Sequence, residues 1–437
     1  MGGPGFDRRE HERRERAVLV GVHLPPDEDN PAAGPADTEE LARLVDTAGG
    51  EIMAVVEQRL ARPSAASFIG KGKLEELKDV VMQHDAELVV FDNDLAPNQG
   101  RNLQKALGDD VRVLDRTELI LDIFATHART KQARLQVELA QLQYLLPRLT
   151  RMWKHLERQA GGIGTRGPGE TQLETDRRLI GRRIAGLRKQ LKDVERAQQT
   201  RTSSRDRAYR VALVGYTNAG KSTLMNALTG AGVYVQDQLF ATLDATTRRV
   251  ELDERRNFLL TDTVGFIRRL PHHLVESFRA TLQEVADADL LLHVVDAGSP
   301  DPEQQIASVE AVLADLVREE QPVLMVFNKM DTVGDKVLVQ GRLHANHPDA
   351  LFVSAVEPAS AATVRTALQN RLLSGERVYR FDLPVGKLYL IGPWHRTGDV
   401  LEQVCENGRC QVAVRMRQED AARLLSRESE VREVPGP

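Results

Sequence analysis

The segment that most constrains the fold of this chain is VALVGYTNAGKST, residues 211–223, in which an apolar run leads directly into the pattern G-x-x-x-x-G-K-S. Glycines at these positions let backbone N–H groups converge on an anion at the start of a helix, and such loops join a buried parallel strand to the helix that covers it. Four further apolar runs follow, NFLLTD, ADLLLHVVDAG, PVLMVFNK and LFVSA. The pattern therefore predicts an α/β domain with a mostly parallel sheet over residues 207–374.

The chemistry of this loop is that of a phosphate cradle. We expect Lys221 to reach the β- and γ-phosphates of a nucleoside triphosphate and the Ser222 hydroxyl to ligate Mg²⁺. The loop residues predicted to contact the nucleotide are Gly215, Tyr216, Thr217, Asn218, Ala219, Gly220, Lys221 and Ser222.

A second motif follows the strand NFLLT and consists of Asp262, Thr263, Val264 and Gly265. A carboxylate at a strand end can hold the Mg²⁺ shell through water, and the Gly265 N–H can meet the γ-phosphate. These two motifs, in this order and each at a strand end, predict a nucleotide site with both metal and phosphate contacts.

The choice of base is predicted by two later segments. Asn328, Lys329, Met330 and Asp331 end another apolar strand, and an Asp there can accept hydrogen bonds from guanine N1–H and the 2-amino group. Adenine cannot supply that pattern, so it would leave the carboxylate without partners. Backbone N–H groups of Ser354, Ala355 and Val356 can then meet the guanine O6. The four segments together indicate a guanine-nucleotide-binding domain.

Upstream, residues 17–127 alternate apolar, β-rich runs with helical patterns, which predicts a small parallel α/β domain. Residues 1–16 have no apolar core and are predicted to be a disordered leader. The segment FIGKGK, residues 68–73, lacks the spacing of a phosphate loop. It is either a tight turn before a helix or a second phosphate contact.

Between the two α/β regions, residues 128–200 carry two heptad stripes. The first is Leu135, Leu139, Leu142, Leu146, Leu149, Trp153 and Leu156, and the second is Leu173, Ile180, Ile184, Leu187, Leu191 and Val194. Two such stripes joined by a loop predict an antiparallel coiled-coil hairpin, with a possible kink at Pro147. The loop, GGIGTRGPG at 161–169, is too polar and glycine-rich to form a core and would be the tip of the hairpin.

Positive charge is concentrated in the same region. Between Arg148 and Arg196 there are 13 Lys and Arg residues against 6 Asp and Glu, a local charge of +7, whereas the whole chain carries −5. The rest of the chain is therefore acidic, at −12. Such a basic island is either a contact surface for a polyanion or a solvated helical face.

The last region, residues 375–437, has strand patterns and one helical pattern, and predicts a small α+β module without a catalytic signature. The chain has two cysteines, Cys405 and Cys410, which flank the turn signal Asn407-Gly408 and are expected to be reduced thiols. No apolar run approaches the roughly 20 residues of a membrane span. These features predict a cytoplasmic protein without a membrane span.

The motifs GYTNAGKS, LFATLD, DTVGF and NKMD, with RQAGGIGTRGPGETQLETDRR and FIGKGK, resemble those of the HflX-type GTPases of the Obg–HflX group. The resemblance implies a switch segment at Phe240, Ala241, Thr242, Leu243 and Asp244, in which Thr242 completes the Mg²⁺ shell. It makes Lys221, Thr242 and Gly265 the expected catalytic residues and GTP and GDP the ligands.

The same resemblance implies a monomer that binds the large ribosomal subunit, not DNA, and splits or rescues ribosomes. The hairpin tip would contact rRNA, and the residues expected to do so are Arg166, Arg177, Arg178, Arg182 and Arg183. Two alternatives stay open on sequence alone, an RNA-remodelling NTPase and a regulatory GTPase with a protein partner.

Two positions bear on catalysis. Asn218 stands where potassium-dependent GTPases carry Asn, so K⁺ is a possible cofactor, although an Asn that only shapes the loop fits equally. Phe266 stands directly after Gly265, where many GTPases carry the Gln that orients the attacking water. Arg268 and Arg269 are expected to face solvent or RNA. We therefore predict slow basal hydrolysis that the ribosome stimulates.

Overall fold

The computed structural model describes most of the chain but not all of it. The described ranges are 14–25, 36–152, 168–203, 209–230, 239–240, 243, 245–251, 257–269, 279–314, 316–318, 321–374, 376–428 and 430–434. Most of the predicted leader, the tip loop 161–167 and three switch residues lie outside these ranges.

The first domain is built on a four-stranded, fully parallel sheet in the order β2-β1-β3-β4, as the alternating pattern predicts. Its strands are β1 (Glu15–His23), β2 (Gly50–Arg59), β3 (Leu88–Phe91) and β4 (Arg112–Asp115). Its helices are α1 (Thr38–Thr47), α2 (Lys71–His84), α3 (Pro97–Leu107) and α4 (Arg116–His127). The FIGKGK segment is a turn closed by a bridge between Ser64 and Phe68, and α2 begins within it at Lys71.

Two long helices follow, α5 (Lys131–Met152) and α6 (Pro168–Ser203), and they pack together as the predicted antiparallel hairpin. The heptad leucines form the seam between them, in which Leu135, Leu139 and Leu187 are buried. The opposite side of α5 packs on the first domain through residues such as Val137 and Ala140. The helix continues through Pro147, whereas Trp153 and Leu156 lie outside the described residues.

Helix α5 is fixed to the first domain by a polar network near its C-terminal end. Arg148 of α5 donates to Asp115 Oδ2 at 2.7 Å and to the carbonyl of Leu95 at 3.0 Å, and its guanidinium lies 3.4 Å from the centre of the Tyr144 ring. The Tyr144 hydroxyl donates to Glu118 Oε2 at 3.3 Å. Burial, reinforced by the charge of Asp115, raises the pKa of Glu118 to about 7.

This pKa gives a first prediction. A carboxyl whose folded-state pKa exceeds its unfolded value of 4.5 binds more protons in the folded protein, so its contribution to stability is lost as pH rises through about 7. Glu118→Gln stays neutral and should therefore raise the free energy of unfolding at pH 8 by as much as about 3 kcal/mol, with a smaller gain at pH 5.5. Urea unfolding at the two pH values measures the difference, and equal gains at both would contradict it.

The third region is a six-stranded sheet in the order β10-β9-β8-β5-β7-β6, parallel except for β6, which runs antiparallel to β7. Its strands are β5 (Tyr209–Gly215), β6 (Thr246–Glu251), β7 (Asn257–Asp262), β8 (Leu290–Asp296), β9 (Val323–Asn328) and β10 (Leu351–Phe352). Its helices are α7 (Lys221–Thr229), α8 (Arg279–Ala286), α9 (Pro302–Leu313), α10 (Lys336–Asn346) and α11 (Pro358–Ser374).

The last region is an antiparallel sheet in the order β12-β13-β11-β14, covered on one face by short helices. Its strands are β11 (Glu376–Pro384), β12 (Gly398–Glu406), β13 (Arg409–Arg417) and β14 (Arg432–Val434). A 3₁₀ segment (Val385–Leu390), α12 (Ile391–Thr397) and α13 (Gln418–Arg427) complete it. The α/β and α+β assignments are therefore confirmed.

The expectation of two reduced thiols was wrong. Cys405 and Cys410 form a disulfide. They lie directly opposite one another at the end of the β12–β13 hairpin, with Cα atoms 4.0 Å apart. The two-residue turn Asn407-Gly408, both with positive φ, sets this register and brings the sulfurs together.

Candidate nucleotide-binding site

The loop between β5 and α7 has the backbone shape that a phosphate cradle needs. Gly215 and Gly220 both have positive φ, at 148° and 89°. A Cβ on Gly215 would collide with the carbonyl of Val294, and one on Gly220 with the side-chain amide of Asn328. Glycine is therefore required at both positions. Gly215 lets the loop pack on β8, and Gly220 leaves space for the side chain of Asn328 at the end of β9.

Lys221 lies at the centre of this loop and is buried. Its Nζ donates to the carbonyls of Gly215 at 3.1 Å and Tyr216 at 2.8 Å, so the ammonium is held within the curve of the loop. Burial lowers the pKa of Lys221 to about 8, and the nearby charge of Asp262 opposes that shift. The ammonium is thus poised where phosphate oxygens would replace backbone carbonyls as its partners.

The donor set beside Lys221 fits Mg²⁺. The Ser222 hydroxyl donates to Asp262 Oδ2 at 2.5 Å, so a hydroxyl oxygen and a nearly buried carboxylate meet at the carboxyl ends of adjacent strands. Hard oxygen ligands of this kind, completed by phosphate and water, are those that Mg²⁺ prefers. Thr263 fixes the segment, because its hydroxyl donates to the carbonyl of Leu213 at 2.6 Å.

The two segments predicted to read the base are joined to the phosphate loop by Asn328. Its Nδ2 donates to the carbonyl of Ala219 at 2.9 Å, and its Oδ1 accepts from the N–H of Ala355 at 2.8 Å. Asp331 is exposed, and its Oδ1 accepts from the Ser354 hydroxyl at 2.5 Å. The structure therefore brings three separate sequence motifs to one edge of the sheet and orients a carboxylate there.

Three other predicted residues belong to the same two segments as Asp331 and Ser354. The N–H of Met330 donates to the carbonyl of Val353 at 3.1 Å, and Lys329, with a positive φ of 61°, pairs with Asp296 at 2.9 Å. Val356 is largely exposed at the same edge.

The predicted switch segment is described in part. Leu239, Phe240 and Leu243 are buried, whereas Ala241, Thr242 and Asp244 lie outside the described residues. The Phe240 ring meets Phe124 of α4 edge to face, with centroids 4.7 Å apart, and both belong to a hydrophobic cluster shared by the first domain and the nucleotide domain. The apolar residues of LFATLD therefore belong to a hydrophobic cluster that includes first-domain residues. The sequence of this segment did not predict that contact between domains.

The segment after Gly265 also faces the first domain. Phe266 is only 2% exposed and belongs to the same shared cluster. The expectation that Arg268 and Arg269 face solvent or RNA was wrong. Arg268 pairs with Asp37 at 3.1 Å and Arg269 with Asp92 at 3.4 Å, because two carboxylates of the first domain lie directly opposite them.

The arginines predicted to contact RNA lie on the hairpin. Arg177, Arg178 and Arg182 are exposed on α6, and Arg166 lies outside the described residues. Arg183 is also exposed but forms a two-point ion pair with Glu138 of α5, at 2.6 and 2.8 Å. Arg183 therefore joins the two arms of the hairpin, which distinguishes it from the other three.

Comparison with known proteins places these features in a family. Residues 36–125 match a family profile described as the N-terminal region of GTP-binding GTPases. Residues 127–205 match a profile described as the middle region of these GTPases. Residues 210–329 match a profile described as a 50S ribosome-binding GTPase. A protein named GTPase HflX from Escherichia coli (strain K12) is 43% identical over 426 residues, which cover 97% of this chain and 98% of that protein. The chain belongs to the HflX family of GTPases.

Other HflX proteins are equally similar. One from Flavobacterium psychrophilum is 50% identical over 317 residues, covering 72% of this chain and 76% of that protein. Among solved structures, a GTP-binding protein from the archaeon Sulfolobus solfataricus in complex with GDP is 24% identical, with a TM-score of 0.44, over 81% of this chain and 99% of that one. Family membership and the phosphate-loop domain make this HflX protein a GTP hydrolase. Within the described ranges, every helix is too short or too polar to span a membrane.

Proposed function

We propose that this HflX protein is a cytoplasmic, monomeric GTPase that binds the large ribosomal subunit and splits or rescues ribosomes. The observation that carries the proposal is the hairpin of α5 and α6, in which α5 packs on the first domain and the N-terminal half of α6 carries exposed arginines near the predicted glycine-rich tip. Its affinity would come from contacts to rRNA phosphates, which dominate protein–RNA binding and need no apolar surface. The profile description of a 50S ribosome-binding GTPase supports the same assignment.

In the proposed reaction, the chain binds, orients and polarises GTP. Lys221 contacts the β- and γ-phosphates, the Gly265 N–H contacts the γ-phosphate, and Ser222 and Thr242 ligate Mg²⁺ with Asp262 in its outer shell. Mg²⁺ held by these residues would supply positive charge against the negative charge that develops between the β- and γ-phosphates. Asp331 selects guanine, and the remaining loop residues supply backbone N–H groups to the phosphates.

The hairpin arginines give a direct test of the RNA contact. Changing Arg177, Arg178 and Arg182 to Glu should weaken binding to purified large subunits by about a hundredfold, because three phosphate contacts become repulsive. GDP affinity should not change, since the nucleotide site lies in another domain. Arg183 is left unchanged because its ion pair with Glu138 joins the arms.

The matched control changes the same number of charges elsewhere. Lys336, Arg342 and Arg432 are exposed in other regions, and their replacement by Glu should leave sedimentation with large subunits intact. If both triple variants bind the subunit equally well, the charged face of α6 is solvated and the RNA contact is rejected. A triple arginine variant that still sediments with large subunits but loses binding to a protein partner would instead favour a regulatory GTPase.

We propose K⁺ as a second cation, held near Asn218. This residue lies in the phosphate loop and has a positive φ of 60°, in the left-handed region that Asn adopts more readily than most residues. A monovalent cation there would offset charge on the phosphates as an arginine finger does. Hydrolysis in KCl should exceed that in NaCl at equal ionic strength by tenfold or more, on the order of one charge-stabilising contact. Equal rates would leave Asn218 with only a role in loop shape.

A further inference from the structure

The hydroxyl of Thr217, the third residue of the phosphate loop, is buried and has no hydrogen-bond partner among the described residues. Only 6% of this residue is exposed. Two other buried threonines of the same domain are paired, because Thr263 donates to the carbonyl of Leu213 at 2.6 Å and Thr261 shares a hydrogen bond of 3.0 Å with Thr247. An unpaired buried hydroxyl costs free energy, so a polar group that binds beside Thr217 would be favoured.

The backbone fixes where this side chain lies. The N–H of Thr217 donates to the carbonyl of Phe266 at 2.7 Å, which ties the residue to the segment after Gly265. A Cβ placed on Gly265 would lie 2.8 Å from Thr217 Cγ2 and 3.0 Å from Lys221 Nζ. The hydroxyl is attached to the same carbon as that methyl group, and rotation about χ1 exchanges the two. The side chain therefore adjoins both groups that are proposed to contact the γ-phosphate.

Two neighbouring side chains are not available to a water molecule at this place. The Tyr216 hydroxyl donates to Glu40 Oε1 of the first domain and accepts from the N–H of Arg268 at 2.8 Å. Phe266 stands where many GTPases carry the Gln that orients the attacking water, and its side chain has no polar atom. Thr217 lies between these two and carries a hydroxyl with its hydrogen-bonding capacity unused by the described residues.

We propose that the Thr217 hydroxyl orients the attacking water in GTP hydrolysis. It accepts a hydrogen bond from the water and donates one to a γ-phosphate oxygen, since a hydroxyl has one donor and two acceptor sites. The water oxygen bonds to the γ-phosphorus, the bond from that phosphorus to the β–γ bridging oxygen breaks, and its electron pair stays with GDP. Both hydrogens of the water leave on inorganic phosphate, so Thr217 neither gains nor loses a proton.

This inference rests on the proposed γ-phosphate contacts of Lys221 and Gly265, and not on ribosome binding. It assigns to the phosphate loop part of the work that a Gln after Gly265 does in other GTPases. Because the interaction is made to the nucleophile, it lowers the barrier of the chemical step more than it strengthens the binding of GTP.

The proposal predicts that activity and stability respond in different ways to the loss of this hydroxyl. Val has nearly the shape of Thr, so Thr217→Val removes an unpaired buried group from the nucleotide-free protein and should not lower the midpoint of thermal unfolding. Thr263→Val should lower that midpoint, because the Thr263 hydroxyl has a protein partner in Leu213. A midpoint that falls equally in both variants would show that the Thr217 hydroxyl is structural and would overturn the proposal.

The decisive test is single-turnover GTP hydrolysis by the free, full-length protein. Thr217→Val should lower the rate at saturating GTP at least about tenfold, the loss expected for one hydrogen bond made in the transition state. Affinities for GDP and for a non-hydrolysable GTP analogue should change less than about threefold, because a solvent water can replace one phosphate contact in the ground state. Thr217→Ser keeps a hydroxyl and should stay within about threefold of the unmodified rate.

Thr229→Val is the matched control. It removes the hydroxyl of another threonine near the phosphate loop, which donates to the carbonyl of Met225 within α7 at 2.8 Å, and should leave the rate unchanged. An unchanged rate in Thr217→Val, an equal loss in Thr217→Ser, or an equal loss in Thr229→Val would overturn the proposal. A loss in Thr217→Val that appears only as weaker analogue binding would also overturn it, because the hydroxyl would then be a binding contact.

Lys221→Ala separates this inference from the site on which it rests. This variant should lose triphosphate binding, because it removes the ammonium proposed to contact the β- and γ-phosphates. If it does so while Thr217→Val hydrolyses GTP normally, only the role of Thr217 is refuted. If Lys221→Ala keeps its affinity for the analogue, the proposed γ-phosphate site is refuted together with it.

Discussion

Asp331→Asn should convert the protein from a GTP-binding to a xanthosine-triphosphate-binding enzyme. In the proposed site the Asp331 carboxylate would accept from both guanine donors, and an amide presents a donor where one of these acceptors stood. Losing charge-assisted hydrogen bonds of this kind should weaken GTP binding by at least about a hundredfold. Xanthine carries a carbonyl in place of the 2-amino group, so it restores the complementary pair, and its triphosphate should become the preferred ligand.

The structure sharpens this experiment in two ways. The Ser354 hydroxyl fixes Asp331 Oδ1 at 2.5 Å, and an amide oxygen can accept the same bond, so the variant should keep the orientation of the side chain. Asp335→Asn is the matched control, because Asp335 only caps α10 through the N–H of Leu338, a role that Asn fills equally well. If Asp331→Asn keeps full preference for GTP, another group reads the base.

Purified large ribosomal subunits should raise GTP hydrolysis by roughly 10³–10⁵-fold over a slow basal rate, the range that an activator supplies when it completes a GTPase site. The reason lies in the segment 264–269. Phe266 cannot orient water and is buried in the cluster shared with the first domain, while Arg268 and Arg269 are engaged with Asp37 and Asp92. Neither arginine is therefore placed to act on the phosphates as the segment stands.

Multiple-turnover hydrolysis with large subunits, with small subunits and with neither measures this effect. Small subunits should leave the rate near its basal value. Phe266→Gln should not replace the ribosome, since it puts an amide into an apolar cluster and should cost about 1–3 kcal/mol of stability instead. A free enzyme that already turns over at the stimulated rate, or a rate that large subunits do not change, would refute the prediction.

Much of the nucleotide site could be predicted from sequence because each part of it is local. A strand, two glycines, a lysine and a serine within 13 residues define the phosphate loop, and the Asp predicted to read the base comes three residues after the end of its own strand. The carboxyl ends of parallel strands meet at one edge of a sheet, so motifs placed there converge without any knowledge of the tertiary fold. The hairpin was predictable for a similar reason, since a heptad repeat describes a seam between two helices.

What the local patterns could not decide is which side chains meet across domains. Tyr216 was predicted only as one of the loop residues that contact the nucleotide, and Arg268 and Arg269 were predicted to face solvent or RNA. Their partners Glu40, Asp92 and Asp37 are far away in sequence, and burial of a charged residue is favourable only where such a partner is also buried. The Cys405–Cys410 disulfide was predictable only in part. The sequence indicated the turn between the two cysteines, but only the structure showed that they lie directly opposite each other on β12 and β13.

The sequence alone determined the chemistry of this protein, namely a guanine-nucleotide site and a basic helical hairpin, because motif spacing and periodicity are properties of short segments. Only the tertiary structure decided how the two are connected. The switch residues Leu239, Phe240 and Phe266 are apolar because they pack on the first domain, and the Tyr216 hydroxyl is buried because Glu40 accepts from it there. Such contacts depend on the positions of whole domains, which no local pattern encodes.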